Sequence, residues 1–313
     1  MMEEIIVVEK LNKSYQHKST VHDLCFTVCQ GEIVGLLGPN GAGKSTTINI
    51  LSTILKPDSG NVSIGGYDLA KDKSKIKKFI GIVPQDLAIY EEISAEKNVA
   101  FFASLYGLHG SELKTQTCKA LQQVGLYDHR AEKPKTFSGG VNRRLNIACA
   151  IAHAPKLIIM DEPTVGIDPQ SRNHILEAIL TLRDQGSTIL YSTHYMEEVE
   201  AIADRILILD EGKLIASGTK KELCQRFENQ VTYSFTLDRK PDGTTLTLSG
   251  LPGILSVSFE EQGLAVTVDI TNENLSHIIS TILSAGYQIK AMSSKEASLE
   301  TVFLDLTGKS LRD

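Results

Sequence analysis

Short runs of isoleucine, valine and leucine alternate with amphipathic segments over about the first two thirds of the chain. This alternation is typical of an α/β domain built on a parallel sheet. The run Leu157–Met160 is apolar at every position, which favours a central strand that is covered on both faces. The other strands predicted in this part are Ile5–Glu9, Glu32–Leu37, Phe79–Val83, Thr188–Ser192, Ile206–Leu209 and Lys213–Ala216.

Between Gln85 and Ala131 the apolar positions follow a helical spacing, and no good strand is evident. Ala95–Tyr106 and Ser111–Val124 are the clearest predicted helices of this stretch. We therefore expect a helical subdomain at about residues 86–150, inserted into a first domain that spans residues 1–225.

The pattern changes again near residues 226–230, so residues 226–313 are predicted to form a second, smaller domain. A helix is expected at Asn274–Ala285, because polar residues precede it and Gly286 ends it. The predicted strands are Val231–Leu237, Ile254–Phe259, Leu264–Val268 and Tyr287–Met292, with a turn at Gly263 and a last helix at Leu299–Leu306. With a weakly marked helix after the first strand, this is the split β-α-β order, which predicts a small α+β domain of the ferredoxin-like type.

Length, charge and cysteine content narrow the class of protein. A chain of 313 residues can form one large and one small domain, and a net charge of −6 argues against a nucleic-acid footprint along the whole chain. The five cysteines contain no C-x-x-C pair, so they predict reduced thiols and no metal site. The acidic start Met1–Glu4 does not resemble a signal peptide, and no apolar stretch approaches the about 20 residues that cross a bilayer. We expect a cytosolic chain that reaches a membrane only through a partner.

The candidate chemistry begins with the sequence GPNGAGKS, Gly38–Ser45, directly after the predicted strand Glu32–Leu37. It matches the phosphate-loop pattern G-x-x-x-x-G-K-[ST], in which Lys44 reaches the β- and γ-phosphates and the Ser45 hydroxyl holds Mg²⁺. Glycines let successive backbone N–H groups face a phosphate, and the start of the following helix adds partial positive charge. A plain glycine-rich turn is the alternative interpretation. The predicted nucleotide contacts of the loop are Gly38, Pro39, Asn40, Gly41, Ala42, Gly43, Lys44, Ser45 and Thr46.

Two acidic residues, Asp161 and Glu162, end the apolar strand Leu157–Met160. At the carboxyl edge of a parallel sheet they would lie beside a phosphate loop. Asp161 is then expected to hold Mg²⁺ through water, and Glu162 to orient an attacking water or take its proton. An acidic pair in this position is often only part of a turn, but the loop at Gly38 favours the catalytic interpretation.

A second glycine-rich helix start lies at Ser138–Gly140, followed by Asn142, Arg143 and Arg144. This is a second potential anion-binding helix start. One active site has no obvious use for two γ-phosphate cradles, so the second is expected to serve a nucleotide held by another chain. The alternative is an ordinary helix cap, because serine is a good capping residue.

The order of these motifs resembles that of the ATP-binding-cassette (ABC) family over about residues 5–225. The motifs are Gly38–Ser45, Gln85, Ser138–Gly140, Asp161–Glu162, Asp168 and His194. The resemblance implies an α/β P-loop NTPase cassette with a helical subdomain, which binds ATP and Mg²⁺ and hydrolyses ATP as a dimer. One departure concerns Val141, because the family's signature commonly reads Ser-Gly-Gly-Gln. This departure leaves open whether the two sites of a dimer turn over equally.

The same resemblance implies roles for the residues that spacing alone does not assign. Tyr15 would stack on adenine, and Gln85 would link Mg²⁺ and the attacking water to the helical subdomain. His194 would contact the γ-phosphate and help to hold Glu162. Asp168 would lie at the dimer seam and cap the following helix.

The C-terminal sequence Lys295–Gly308 resembles the end of ATPase subunits from bacterial exporters of drugs, antibiotics and lipids, as do Asp161–Arg172 and Glu197–Gly212. This resemblance implies a separate transmembrane permease subunit, contacted around Asp86–Glu92, and a second ATPase subunit that is either a copy of this chain or a paralogue. It places the protein at the cytoplasmic face of the cell membrane, with no nucleic-acid partner. The alternatives are a soluble ABC ATPase acting on ribosomes or nucleic acid and, less consistent with His194, a small-molecule kinase.

Overall fold

The computed structural model describes residues 3–16, 18–225, 229–242, 246, 248, 250–272, 275–296 and 298–308. These residues form two units, of which the first ends at Lys220 and the second begins at Lys221. The sequence pattern placed this boundary after residue 225. Each unit has a hydrophobic core of its own.

A six-stranded sheet forms the centre of the first unit. Its strands are β3 (Ile33–Leu37), β6 (Ile80–Val83), β7 (Leu157–Asp161), β8 (Thr188–Thr193), β9 (Arg205–Asp210) and β10 (Lys213–Gly218). They lie in the order β10-β9-β3-β8-β7-β6, parallel except for the edge strand β10. Leu157 and Ile159 face one core cluster, whereas Ile158 and Met160 face the other. The prediction of a central strand covered on both faces is therefore confirmed.

A second, antiparallel sheet of the first unit has the order β2-β1-β4-β5. Its strands are β1 (Glu4–Tyr15), β2 (Lys18–Cys29), β4 (Ser59–Ile64) and β5 (Tyr67–Asp68). Only part of β1 was predicted. Register shifts between Val8 and Leu11 and between Leu11 and Lys13 interrupt the two-residue alternation that identifies a strand in sequence.

Seven α-helices accompany these sheets within the described residues of the first unit. They are α1 (Lys44–Leu51), α2 (Lys73–Phe79), α3 (Ala95–Leu105), α4 (Gly110–Gln123), α5 (Gly139–Ile151), α6 (Pro169–Asp184) and α7 (Met196–Ile202). The next helix, α8 (Lys220–Cys224), begins at the last residue of the first unit and otherwise belongs to the second. Within residues 86–150 the structure has α3, α4 and most of α5, and these helices share one core with α6 and one face of the six-stranded sheet. Among the described residues, no helix has the length and apolar character needed to cross a membrane.

The second unit contains a four-stranded antiparallel sheet in the order β12-β13-β11-β14. Its elements are β11 (Gln230–Leu237), β12 (Ile254–Glu260), β13 (Gly263–Asp269), α9 (Leu275–Ser284), β14 (Ile289–Glu296) and α10 (Leu299–Thr307). A first strand lying between the third and the fourth is the ferredoxin-like arrangement, as predicted. The weakly marked first helix falls partly, and Asn274 wholly, outside the described residues.

One detail of the second unit differs from the prediction. Gly263 is the first residue of β13 and not the turn, which lies at Glu261 and Gln262. A Cβ on Gly263 would approach the carbonyl oxygen of Phe235 to 2.2 Å. This glycine is therefore explained by close strand packing and not by a turn conformation.

Candidate active site

Three adjacent strands of the parallel sheet, β3, β8 and β7, end at the same edge. The phosphate-loop motif follows β3, His194 follows β8, and Glu162 follows β7. Ligands bind to open α/β sheets at the carboxyl ends of the strands. The topology thus brings together side chains that are far apart in the sequence.

The loop between β3 and α1 packs tightly against neighbouring backbone. A Cβ on Gly38 would lie 2.4 Å from the carbonyl oxygen of Leu209, and a Cβ on Gly43 would lie 2.7 Å from that of Thr20. Gly43 also has a φ of +94°, a conformation that favours glycine. A glycine loop that opens directly into a helix provides the backbone N–H groups of an anion site. Of the other loop positions, Asn40 and Gly41 are exposed, Pro39 and Thr46 are half-buried, and Ala42 is buried.

The ammonium group of Lys44 is buried, with 4% of the residue exposed. It donates hydrogen bonds to the carbonyl oxygens of Gly38, at 2.7 Å, and Pro39, at 3.1 Å. Its Nζ also lies 3.4 Å from Oε1 of Glu162. Burial lowers the pKa of Lys44, and the Glu162 carboxylate opposes this shift. The two carbonyl oxygens and the Glu162 carboxylate oxygen thus hold the Lys44 ammonium group at the loop.

Asp161 is surrounded by hydroxyl groups at the end of β7. Its Oδ1 accepts a hydrogen bond from Ser192 Oγ at 2.8 Å and another from Ser45 Oγ at 3.3 Å. Burial raises the pKa of the Asp161 carboxyl, and the two hydrogen bonds oppose this shift. A carboxylate and a hydroxyl oxygen at this distance are hard ligands of the kind that Mg²⁺ prefers. The described residues contain no cluster of three or more His, Cys, Asp or Glu that could hold a metal ion, so the candidate magnesium ligands here are one carboxylate and one hydroxyl group.

Glu162 is held in an uncommon backbone conformation next to the loop. Its φ is +46°, and its N–H donates to the carbonyl oxygen of Ser192 at 3.0 Å. The same Oε1 that faces Lys44 lies 3.3 Å from Nδ1 of His194, although the two atoms are not aligned for a hydrogen bond. A non-glycine residue with positive φ costs free energy, and such residues cluster at functional sites. One carboxylate oxygen thus connects three of the predicted residues.

Gln85 lies beyond the end of β6 at the same sheet edge, but its exposed side chain makes no hydrogen bond to Asp161 or Glu162 among the described residues. Its backbone is nevertheless fixed. Arg143 Nη2 donates to the carbonyl oxygen of Gln85 at 2.6 Å, and Nη1 donates to that of Pro84 at 2.9 Å. Arg143 is buried in α5, so it ties the Gln85 segment to the helix that begins at Ser138. No local sequence pattern predicts this contact.

Tyr15 and Asp168 have their own local interactions in the structure. Tyr15 ends β1 with 46% of the residue exposed, and the Lys13 ammonium lies 5.8 Å from its ring centroid. Asp168 is the N-cap of α6 and accepts a hydrogen bond from the Ser171 N–H at 2.9 Å. This bond lowers the pKa of Asp168. Neither residue forms a hydrogen bond or an ion pair with Lys44 or Glu162 in the described part of the chain.

Ser138, Gly139 and Gly140 begin α5, with Ser138 as its N-cap. The Ser138 hydroxyl accepts from the Val141 N–H at 3.4 Å. Gly139 is exposed, whereas Gly140 is buried against α6. A Cβ on Gly140 would lie 2.3 Å from both Cβ and Oγ of Ser171. The second glycine is therefore required by packing within this chain, in addition to any role toward a nucleotide.

Gly140→Ala is expected to lower the free energy of unfolding by about 1–3 kcal/mol, because the added methyl group overpacks the contact with Ser171. Gly139→Ala is the matched control, since its Cβ would meet only Ile167 Cδ1 at an ordinary 3.7 Å. Adding Ser171→Gly to Gly140→Ala should relieve the overpacking and recover stability. The recovery should be incomplete, because a glycine in a helix itself costs about 1 kcal/mol. Urea denaturation measures all three. If Gly140→Ala and Gly139→Ala lowered the free energy of unfolding equally, the contact between Gly140 and Ser171 would not be the cause.

A phosphate loop between a parallel strand and a helix, with an acidic pair ending a nearby strand, defines the site of a P-loop NTPase. The family model described as "ABC transporter" matches residues 21–165. The chain belongs to this family, since a relative of 42% identity matches along its full length. It is accordingly an ATP-binding and ATP-hydrolysing cassette, as the motif order predicted.

That relative is the linearmycin resistance ATP-binding protein of Bacillus subtilis, with 99% of this chain and 100% of the relative covered. A daunorubicin resistance ATP-binding protein of Streptomyces coeruleorubidus is 31% identical and covers 100% of this chain and 98% of its own length. A solved ATP-binding cassette is described as a dimer in a post-hydrolysis state bound to ADP and phosphate. It has a TM-score of 0.62 and 25% identity, and the match covers 68% of this chain and 98% of that one.

Proposed function

We propose that this chain is the ATPase subunit of an exporter and that Lys44, Glu162 and His194 form its hydrolytic centre. The observation that carries the proposal is the convergence on Glu162 Oε1, which lies 3.4 Å from the Lys44 ammonium and 3.3 Å from His194 Nδ1. In this position Glu162 accepts the proton of, or orients, the attacking water. His194 contacts the γ-phosphate and holds Glu162 in place.

The other residues of the site bind and orient ATP. The backbone of Gly38–Thr46 surrounds the phosphates, Lys44 contacts the β- and γ-phosphates, and Tyr15 stacks on adenine. The hydroxyl of Ser45 and the carboxylate of Asp161, with Gln85, are the residues that would hold Mg²⁺. This ion would neutralise the charge that develops on the phosphate oxygens.

A second ATPase subunit completes each site in this proposal. Among the described residues, Ser138–Gly140 and Asp168 form no hydrogen bond or ion pair with Lys44 or Glu162. Gly139 is exposed at the start of α5. An exposed helix start is suited to a phosphate carried by another subunit. The dimeric state of the solved cassette supports this arrangement. The second subunit is a copy of this chain or a paralogue, and Val141 bears on whether both sites turn over equally.

The permease is the proposed partner at the membrane, contacted by the segment 86–92 of the ATP-binding domain (residues 1–225). Asn98 of α3 holds this segment by accepting from the Tyr90 N–H at 2.7 Å and donating to the Tyr90 carbonyl oxygen at 2.9 Å. Asn146 of α5 accepts from the Ala88 N–H at 3.3 Å. Leu87 and Tyr90 remain exposed on it. A rigid backbone that presents exposed apolar side chains is suited to a protein partner.

The substrate class rests on the relatives, which are named for resistance to linearmycin and daunorubicin. We infer export of a drug-, antibiotic- or lipid-like compound, with the ATPase on the cytoplasmic face of the membrane and residues 226–313 as an accessory domain. Neither relative is named for action on ribosomes or nucleic acid, which favours the exporter over that alternative.

Affinity purification of the tagged full chain from detergent-solubilised membranes tests the proposal. A protein with several membrane spans should co-purify in stoichiometric amount. The double variant Leu87→Asp, Tyr90→Asp should release it, because charges would replace the apolar contact. Exposed Lys77→Asp is the matched control and should leave recovery unchanged. Recovery of ribosomal proteins in place of a membrane protein would contradict the exporter.

A further inference from the structure

A carboxylate with no assigned role lies behind the hydrolytic centre. Glu198, on the first turn of α7, is only 1% exposed. Its Oε2 accepts hydrogen bonds from the Tyr191 hydroxyl at 2.7 Å and from Thr193 Oγ1 at 2.9 Å. Burying a carboxylate costs free energy unless hydrogen bonds and an opposite charge compensate. The contacts that compensate the burial of Glu198 therefore indicate which neighbouring groups it holds in place.

Both chain neighbours of His194 are connected to this carboxylate. A carboxylate only accepts hydrogen bonds, so the single hydroxyl proton of Thr193 is directed to Glu198. The lone pairs of Thr193 Oγ1 are then free to accept from the Tyr195 N–H, at 3.0 Å. The residue before His194 and the residue after it are thus fixed by one relay that ends at Glu198.

Arg172 brings the compensating charge from a different helix. Its Nε lies 3.3 Å from Glu198 Oε1, and its guanidinium lies 4.8 Å from the centroid of the Tyr195 ring. Arg172 is one turn beyond the N-cap Asp168 on α6, and its N–H donates to the Asp168 carbonyl oxygen at 2.9 Å. The pair therefore ties the helix that begins at Asp168 to the turn that carries His194.

We propose that Glu198 is a positioning residue for His194 and acts through the Thr193 hydroxyl. The inference rests on the proposed role of His194 in hydrolysis. The imidazole reaches Glu162 Oε1 at 3.3 Å only while the backbone between Thr193 and Tyr195 keeps its direction. A displacement of about 1 Å in a catalytic group can lower a rate about 100-fold, so a relay without contact to the nucleotide can control turnover.

Thr193→Val tests the relay, because valine keeps the shape of threonine and removes its hydroxyl. The variant should lower kcat for ATP roughly 10- to 100-fold in the full chain, with KM changed less than about threefold. Thr193→Ser keeps the hydroxyl and should retain most of the turnover. Thr188→Val is the matched control. It removes a buried hydroxyl from the same strand, one that accepts from the Gly31 N–H at 2.9 Å, and should leave kcat unchanged.

A double-mutant cycle separates positioning of His194 from a general loss of structure. In a His194→Ala background, Thr193→Val should cause no further loss of turnover, because the residue it positions is gone. An equal loss in both backgrounds, or an unchanged kcat in the single variant, would overturn the inference. If His194→Ala itself leaves turnover intact, the proposed hydrolytic centre fails first. Thermal melting of each variant identifies any that has lost its fold.

Discussion

Glu162→Gln is expected to lower the turnover of ATP by roughly 100- to 10,000-fold while ATP binding persists. The side-chain amide keeps the shape of the carboxylate, and its oxygen can still face Lys44 and His194, which lie 3.4 Å and 3.3 Å from Glu162 Oε1. An amide cannot take a proton from water, so the chemical step is lost and the binding step is not. Phosphate release measures the first, and titration with a fluorescent ATP analogue measures the second.

The matched control is Glu177→Gln, which makes the same exchange on the exposed surface of α6. It should leave both kcat and ATP affinity unchanged. Because ATP is expected to join two subunits, the Glu162→Gln variant should also accumulate as an ATP-bound dimer, which size-exclusion chromatography detects. Turnover close to that of the parent chain would remove Glu162 from the hydrolytic centre.

The parts of the fold that could be predicted from sequence are those with a short, regular pattern. The strand Leu157–Met160 is apolar at every position, and the structure buries it on both faces. Parallel strands that end at one edge then bring their following residues together, whatever the sequence separation. This is why the motif order was sufficient to place Lys44, Glu162 and His194 near one another.

The parts that could not be predicted depend on irregular pairing or on contacts between distant residues. In strand β2, which was not predicted, the buried residues Leu24, Phe26 and Val28 alternate, but the bulged pairing with β1 breaks this spacing between Val21 and Leu24 and shortens the regular pattern. Two contacts join separate elements and are not predicted by any local pattern. They are the packing of Gly140 against Ser171 and the ion pair of Arg172 with Glu198. Gln85 is the opposite case, because its motif is evident in the sequence but its side chain forms no hydrogen bond with Asp161 among the described residues.

Lys44→Met is expected to weaken ATP binding roughly 100-fold. The lysine donates to Gly38 and Pro39 and faces Glu162, so its ammonium is already held at the loop where the phosphates are proposed to bind. Hydrogen bonds to charged groups contribute about 1.5–3 kcal/mol, and each 1.4 kcal/mol is a factor of about ten in affinity. Methionine fills a similar volume without any donor. Isothermal titration with ATP gives the change directly.

Lys56→Met is the matched control, because Lys56 is exposed shortly after α1 and should not affect ATP affinity.

Lys44→Met also leaves the buried carboxylates of Asp161 and Glu162 without their cation. Burial raises the pKa of Asp161, so ionised Asp161 opposes folding, and stability is lost as pH rises above its ordinary value of 3.8. The variant should therefore lose stability more steeply than the parent chain as pH rises toward 7. If ATP affinity fell equally at the lower and the upper end of this pH range, loss of the phosphate contact would be the cause. Recovery of affinity at the lower pH would instead assign the defect to the Asp161 carboxylate.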